Sequence, residues 1–254
     1  MKQISEYISE RLKISSDLNP KHYHPESKEE LQEILEELIS KRGMDANLND
    51  IDTSQITDMS TLFINIKDIQ NIDISQWDVS NVNDMTHMFM NCEKFNCDLS
   101  HWDISNVIKV VGMFARCKNF NSDLSQWDVS KVRSFTKMFY QCENFNSDLS
   151  QWKFPNAVRM RQMFYGCKKF NSDLSQWDVS NIDSMDHMFY QCENFNGDLS
   201  KWKTLKCDDF DSMFQGCKKF NCDLSKWDVS KVEYMEDMFD GCDSMKKIPQ
   251  WYKK

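Results

Sequence analysis

The chain has 254 residues, 40% of them hydrophobic and 28% charged, a balance that supports a folded core and excludes a disordered chain. A net charge of −9, with Lys and Arg interleaved among acids, excludes the clustered basic surface that nucleic acid needs. No apolar run approaches the roughly 20 residues of a membrane span, and MKQISEYISE lacks the apolar stretch of a secretory signal. The expected location is therefore cytoplasmic when made, with surface or virion association left open.

Residues 1–50 differ from the rest and are expected to form a helical N-terminal cap. Ile4, Tyr7, Ile8 and Leu12 mark a first amphipathic helix, and Pro20 and Pro25 a linker. Ser27 to Glu30 reads as a capping box. It opens a second helix with Leu31, Ile34, Leu35, Leu38 and Ile39 on one face, ending before Gly43. Docking of another protein on this segment is the sharper alternative.

From Ile51 the chain repeats every 25 residues. Trp77, Trp102, Trp127, Trp152, Trp177, Trp202 and Trp227 keep that spacing, as do a Met-Phe pair, a Phe and a Cys in each unit. About eight units fill residues 51–251. In the unit at 77–101, Val82, Met85, Met88, Phe89 and Cys92 are taken as one stripe of a short helix. Ser80 would cap it and Asp78 would sit at its positive end. Gly166, Gly216 and Gly241 would mark where such helices stop. The remainder, FNCDLSHWDI, reads as two short strands around a bend that pair into a parallel ladder. The expected fold class is an α/β solenoid of stacked strand–helix units, residues 51–254, closed at the far end by Ile248, Trp251 and Tyr252. The seven repeated cysteines, Cys92 to Cys242, are expected as buried thiols rather than disulfides.

The unit V-x-x-M-x-x-M-F-x-x-C-x-x-F-N-x-D-L-S-x-W-D-V-S resembles the BspA-like leucine-rich repeats, and more narrowly the 25-residue lipoprotein-associated repeat of bacterial surface and phage-associated proteins. The resemblance covers residues 51–251. It implies a leucine-rich-repeat-like solenoid used for adhesion or protein binding.

No nucleophile, base and orienting group can be assembled from the motifs, and the six glycines are too dispersed to cradle phosphate, so no enzyme and no cofactor are expected. His22 and His24 read as a solvated linker pair rather than metal ligands. The Asp column, Asp73 to Asp223, is the one place where calcium comes into question; accepting hydrogen bonds from turn backbone is the plainer role. A second column, Asp78, Asp103, Asp128, Asp178 and Asp228, is interrupted by Lys153 and Lys203, whose units also carry Pro155 and Leu205 in place of Ser. The Trp column, tempting as a sugar-stacking strip, alternates with Val or Ile and is placed in the core. The position after Met-Phe carries Tyr140, Tyr165 and Tyr190 in consecutive units. Tyr is favoured in interfaces, so this strip is the candidate partner-binding site. The expected function is a non-enzymatic scaffold for a protein partner or adhesion, or else a structural part of a phage particle or surface assembly.

Overall fold

In the computed structural model, residues 21–66 and 69–253 are described. The proposed first helix around Ile4–Leu12 lies outside them. Helix α1, Lys28–Arg42, forms where the capping box placed it. The Ser27 hydroxyl accepts from the Glu30 N–H at 3.1 Å, and the Glu30 carboxylate reaches back to the Glu26 N–H. Gly43, at φ 89°, closes the last turn by donating to the Ile39 carbonyl. Leu31, Ile34, Leu35, Leu38 and Ile39 are buried in one continuous core with the repeats. No helix among the described residues is long and apolar enough to cross a membrane.

The expected α/β solenoid of strand–helix units does not form, and with it goes the leucine-rich-repeat architecture. Among the described residues α1 is the one helix, and the repeats contain isolated parallel bridges rather than strands. Each 25-residue unit is one tier built from successive turns. In the tier of Trp127 the N–H groups of Trp127, Val132, Met138, Tyr140, Cys142 and Phe145 each donate to a carbonyl three residues earlier. The apolar spacing explains why. Val82, Met85 and Met88, then Phe89, Cys92 and Phe95, recur at three, not 3.6. On a helix, residues at i and i+6 would diverge by about 120°. In a run of turns, the first and last residue of a turn can both be buried, as Val129 and Val132, Phe135 and Met138, and Phe139 and Cys142 are.

The ladder runs through the segment read as helical, not through the one read as strands. The N–H groups of Phe135, Lys137, Phe139 and Gln141 donate to the carbonyls of Arg159, Arg161, Met163 and Tyr165 in the next tier. Donating forward at every second residue while also turning requires left-handed backbone at two positions per tier. Lys137 and Gln141 take it at φ 58° and 57°. Gly166, Gly216 and Gly241 occupy the second of these positions, so they mark a turn corner and not a helix end. Ser80 and Asp78 likewise cap no helix: the Asp78 carboxylate accepts from the Ser80 N–H and hydroxyl, stabilising a turn.

Side chains knit the tiers. Phe89, Phe114, Phe139, Phe164, Phe189 and Phe214 stack at 5.6–5.8 Å between centroids. Phe95 to Phe220 form a second file at 5.9–6.0 Å. Trp102 to Trp227 are 3–4% exposed. Each indole N–H donates to a carbonyl 28 residues back, as Trp152 does to Leu124 at 2.9 Å. Burying an aromatic or aliphatic side chain fully contributes about 1.5–3 kcal/mol, and one tier alone cannot bury its own. At the far end Trp251 keeps its place in the indole column, donating to Leu224 at 3.0 Å, and Tyr252 packs edge-on against Phe239. Ile248 is 47% exposed and does not close the core.

Candidate protein-binding face

Three uniform columns are occupied with holding the stack. Each Asp of the column Asp73 to Asp223 accepts from the N–H of the serine two residues on, as Asp148 does from Ser150 at 2.8 Å. Asn96, Asn121, Asn146, Asn171 and Asn196 each accept, through the side-chain oxygen, from the backbone N–H of the same position one tier on. Asn221 does the same for Lys246. The repeated thiols from Cys117 to Cys242 each donate to a Phe carbonyl of the preceding tier at 2.9–3.1 Å. All ten cysteines are free. Burial pushes the Cys92 and Cys242 thiols up to about 12.

Among the described residues no group of three or more His, Cys, Asp and Glu converges on one point. His24 meets Asp52 at 3.2 Å, and His22 lies 3.7 Å from Asp50. Pro155 has no N–H to offer an aspartate two residues before it, so Lys153 stands where the Asp of the second column has lost its turn partner. In the other irregular tier Leu205 is exposed, and the neighbouring Thr204 is buried with its hydroxyl donating to the Asp228 carbonyl.

One face varies from tier to tier, and Tyr140, Tyr165 and Tyr190 lie on it. The rings stack face to face at 4.7 Å and 4.4 Å between centroids. They are half-buried rather than fully exposed. The Lys137 ammonium lies over the Tyr140 ring at 5.7 Å, and the His187 imidazole packs on Tyr190 at 5.7 Å. Partial burial, and the flanking Tyr190 and Tyr140 hydroxyls, push the Tyr165 phenol up to about 12. At the centre of the stacked strip the Tyr165 phenol therefore keeps its proton at physiological pH.

Beside the strip lies an open groove of about 610 Å³, lined by residues that include Arg159, Arg161, Asp183, Asp208 and Asp209. The side chains come from the ladder segment, where Ser134, Arg159, Ser184 and Asp209 are bridged tier to tier. Asp186, 3% exposed, is held by Arg161 at 2.6 Å and by the Ser184 hydroxyl at 2.8 Å. Arg159 stands 3.9 Å from Asp183. Asp209 is held above the ordinary carboxylate range by burial, with Asp186 and Asp211 adding to the effect. Groove and strip are linked through side chains: Arg161, which lines the groove, holds Asp186, and His187 contacts Asp186 on one side and Tyr190 on the other. This groove is not anticipated from the sequence. Its residues fall on what was read as a helix surface, where positions 159, 161 and 183 have no reason to form one wall. The signal that finds it is the order of charges along one repeat position: Arg133 before Asp183, Asp208 and Glu233.

Further along the same units a column alternates in sign. Glu93, Lys118, Glu143, Lys168, Glu193 and Lys218 pair as Lys118–Glu93, Lys168–Glu143 and Lys218–Glu193 at 2.7–2.8 Å.

No curated protein and no solved structure matches the chain. A family model described as "Mycoplasma protein of unknown function, DUF285" matches residues 33–152 and again 134–251, which together take in α1 from its second turn and nearly the whole stack, and the chain belongs to that family.

Proposed function

We propose that the chain is a non-enzymatic protein-binding scaffold whose variable face, centred on Tyr140, Tyr165 and Tyr190, receives a protein partner. The observation that carries this reading is the contrast between columns. Trp, Phe, Asn, Asp and Cys are nearly constant and committed to the stack. The stacked tyrosines and the adjoining groove sit where side chains change, on a backbone fixed by inter-tier hydrogen bonds. A rigid aromatic strip offers contact area at little entropic cost, which is what interface anchors require. The resemblance to surface repeats points the same way.

The test is affinity capture with the full chain as bait against a bait carrying Tyr140→Ser, Tyr165→Ser and Tyr190→Ser. A partner seated on the strip is lost with the triple variant, its affinity falling at least about thirtyfold. Loss of ring stacking lowers stability by about 1–3 kcal/mol, and the fold survives on its Trp and Phe files. A partner retained undiminished by the folded triple variant refutes the reading.

A further inference from the structure

The charges of the variable face divide at one point. Within the six tiers whose ladder positions run from Lys109 to Tyr234, Lys109, Arg133, Arg159 and Arg161 precede the divide, and Asp183, Asp208, Asp209, Asp211, Glu233 and Glu236 follow it; Asp84, one tier before them, pairs with Lys109 at 2.9 Å. The groove straddles the divide: Arg159 and Arg161 line it from one side of that point in the sequence, and Asp183, Asp208 and Asp209 from the other. Large apolar side chains lie exposed on both sides: Ile108 and Val158 among the cations, Tyr234 among the acids, at 38%, 41% and 55% exposure.

We propose that the partner on this face is a second copy of the same chain, related by a twofold axis that crosses the stack between the Arg159 and Ser184 tiers. The inference rests on the protein-binding reading above and names its partner. A surface cationic on one side of a point and anionic on the other is complementary to itself after a half-turn about that point. The ladder positions 109, 134 and 159 then meet 234, 209 and 184 of the second copy. Arg159 faces Asp183 and Arg133 faces Asp208, while Ile108 meets the Tyr234 ring. Both ends of the face are satisfied at once, which closes the assembly at two copies. The tyrosines flank the axis, with Tyr165 and Tyr190 on its two sides.

Sedimentation equilibrium of the full chain tests this, in low salt and at about 0.5 M salt, where screening falls well below 10 Å. The expected result is a dimer that weakens as salt rises. Two variants carry opposite reversals at exposed or half-exposed positions: Arg133→Glu with Arg159→Glu, and Asp183→Arg with Asp208→Arg. Each alone places like charges across the axis and weakens dimerisation by about a hundredfold. Mixed, they restore every cross-axis pair, so a heterodimer of wild-type strength forms. A wild-type chain that stays monomeric in low salt overturns the proposal. So does a dimer indifferent to both variants, or a mixture that fails to associate. If the chain is monomeric yet captures a different protein through the tyrosines, the second-copy inference fails and the binding reading stands. If neither association occurs, both fail.

Discussion

At the scale of single residues, the columns differ in what they satisfy. Ser122, Ser147 and Ser172 are buried, and each hydroxyl accepts from the backbone N–H of a leucine in the preceding tier, as Ser147 does from Leu124 at 3.1 Å. Removing that acceptor leaves a buried donor unpaired, which costs about 1–3 kcal/mol. Ser147→Ala is therefore expected to lower the urea-unfolding free energy by about that amount. A change below a few tenths of a kcal/mol refutes the assignment. The identities of these columns were legible in the sequence; their partners were not. Periodicity shows that Trp152 recurs and is apolar, and so belongs in the core. That its indole N–H reaches the Leu124 carbonyl depends on how far one tier is staggered over the next, which no single unit encodes.

The turn is the element of this protein, and there the sequence misleads. An 11-residue stretch with apolar residues at i, i+3, i+6, i+7 and i+10 suits a helix or a run of turns, and choosing helix hid the groove built from positions such as 159, 161 and 183. The three-residue period, and the glycines standing where other tiers have Gln or Asn, were the available signs. The turns demand left-handed backbone at Gln141, φ 57°, a conformation that costs a non-glycine residue roughly 1–2 kcal/mol. Gln141→Val, adding β-branching, should destabilise by more than about 1 kcal/mol in chemical denaturation. Gln141→Gly should be nearly neutral, since relief of strain offsets the entropy a glycine loses on folding. Equal effects of Val and Gly would show that this corner is not left-handed. The tyrosine strip, by contrast, needed no correct element to be found, because tier-to-tier stacking follows from spacing alone. The groove did need it, and was missed.

For the whole molecule, many small local bonds add up to a pH dependence. Asp98 is held below the ordinary value of 3.8 by the N–H and then the hydroxyl of Ser100. For Asp103, Asp178 and Asp198 the hydroxyl of the serine two residues on leads and its N–H follows. A carboxyl whose value is lowered by folding contributes stability above its unfolded value and loses it as pH falls through the folded one. Stability should therefore be flat from neutrality to about pH 4 and decline below it, read as the urea midpoint against pH. A midpoint unchanged down to pH 2 would mean that these aspartates stabilise nothing. Each is largely exposed, so the decline is gradual and shared rather than owned by one residue.

The alternating Glu–Lys column has a consequence for how such a protein can change length. Excising a single block of 25 would set glutamate upon glutamate or lysine upon lysine; excising two restores attraction. The copied text agrees, since YQCENFN at 140–146 returns at 190–196, and GCKKFN at 166–171 returns at 216–221. One turn-built layer is what folds, but a doublet of layers, 50 residues long, is what this chain multiplies, and viable lengthened or shortened versions should differ by doublets.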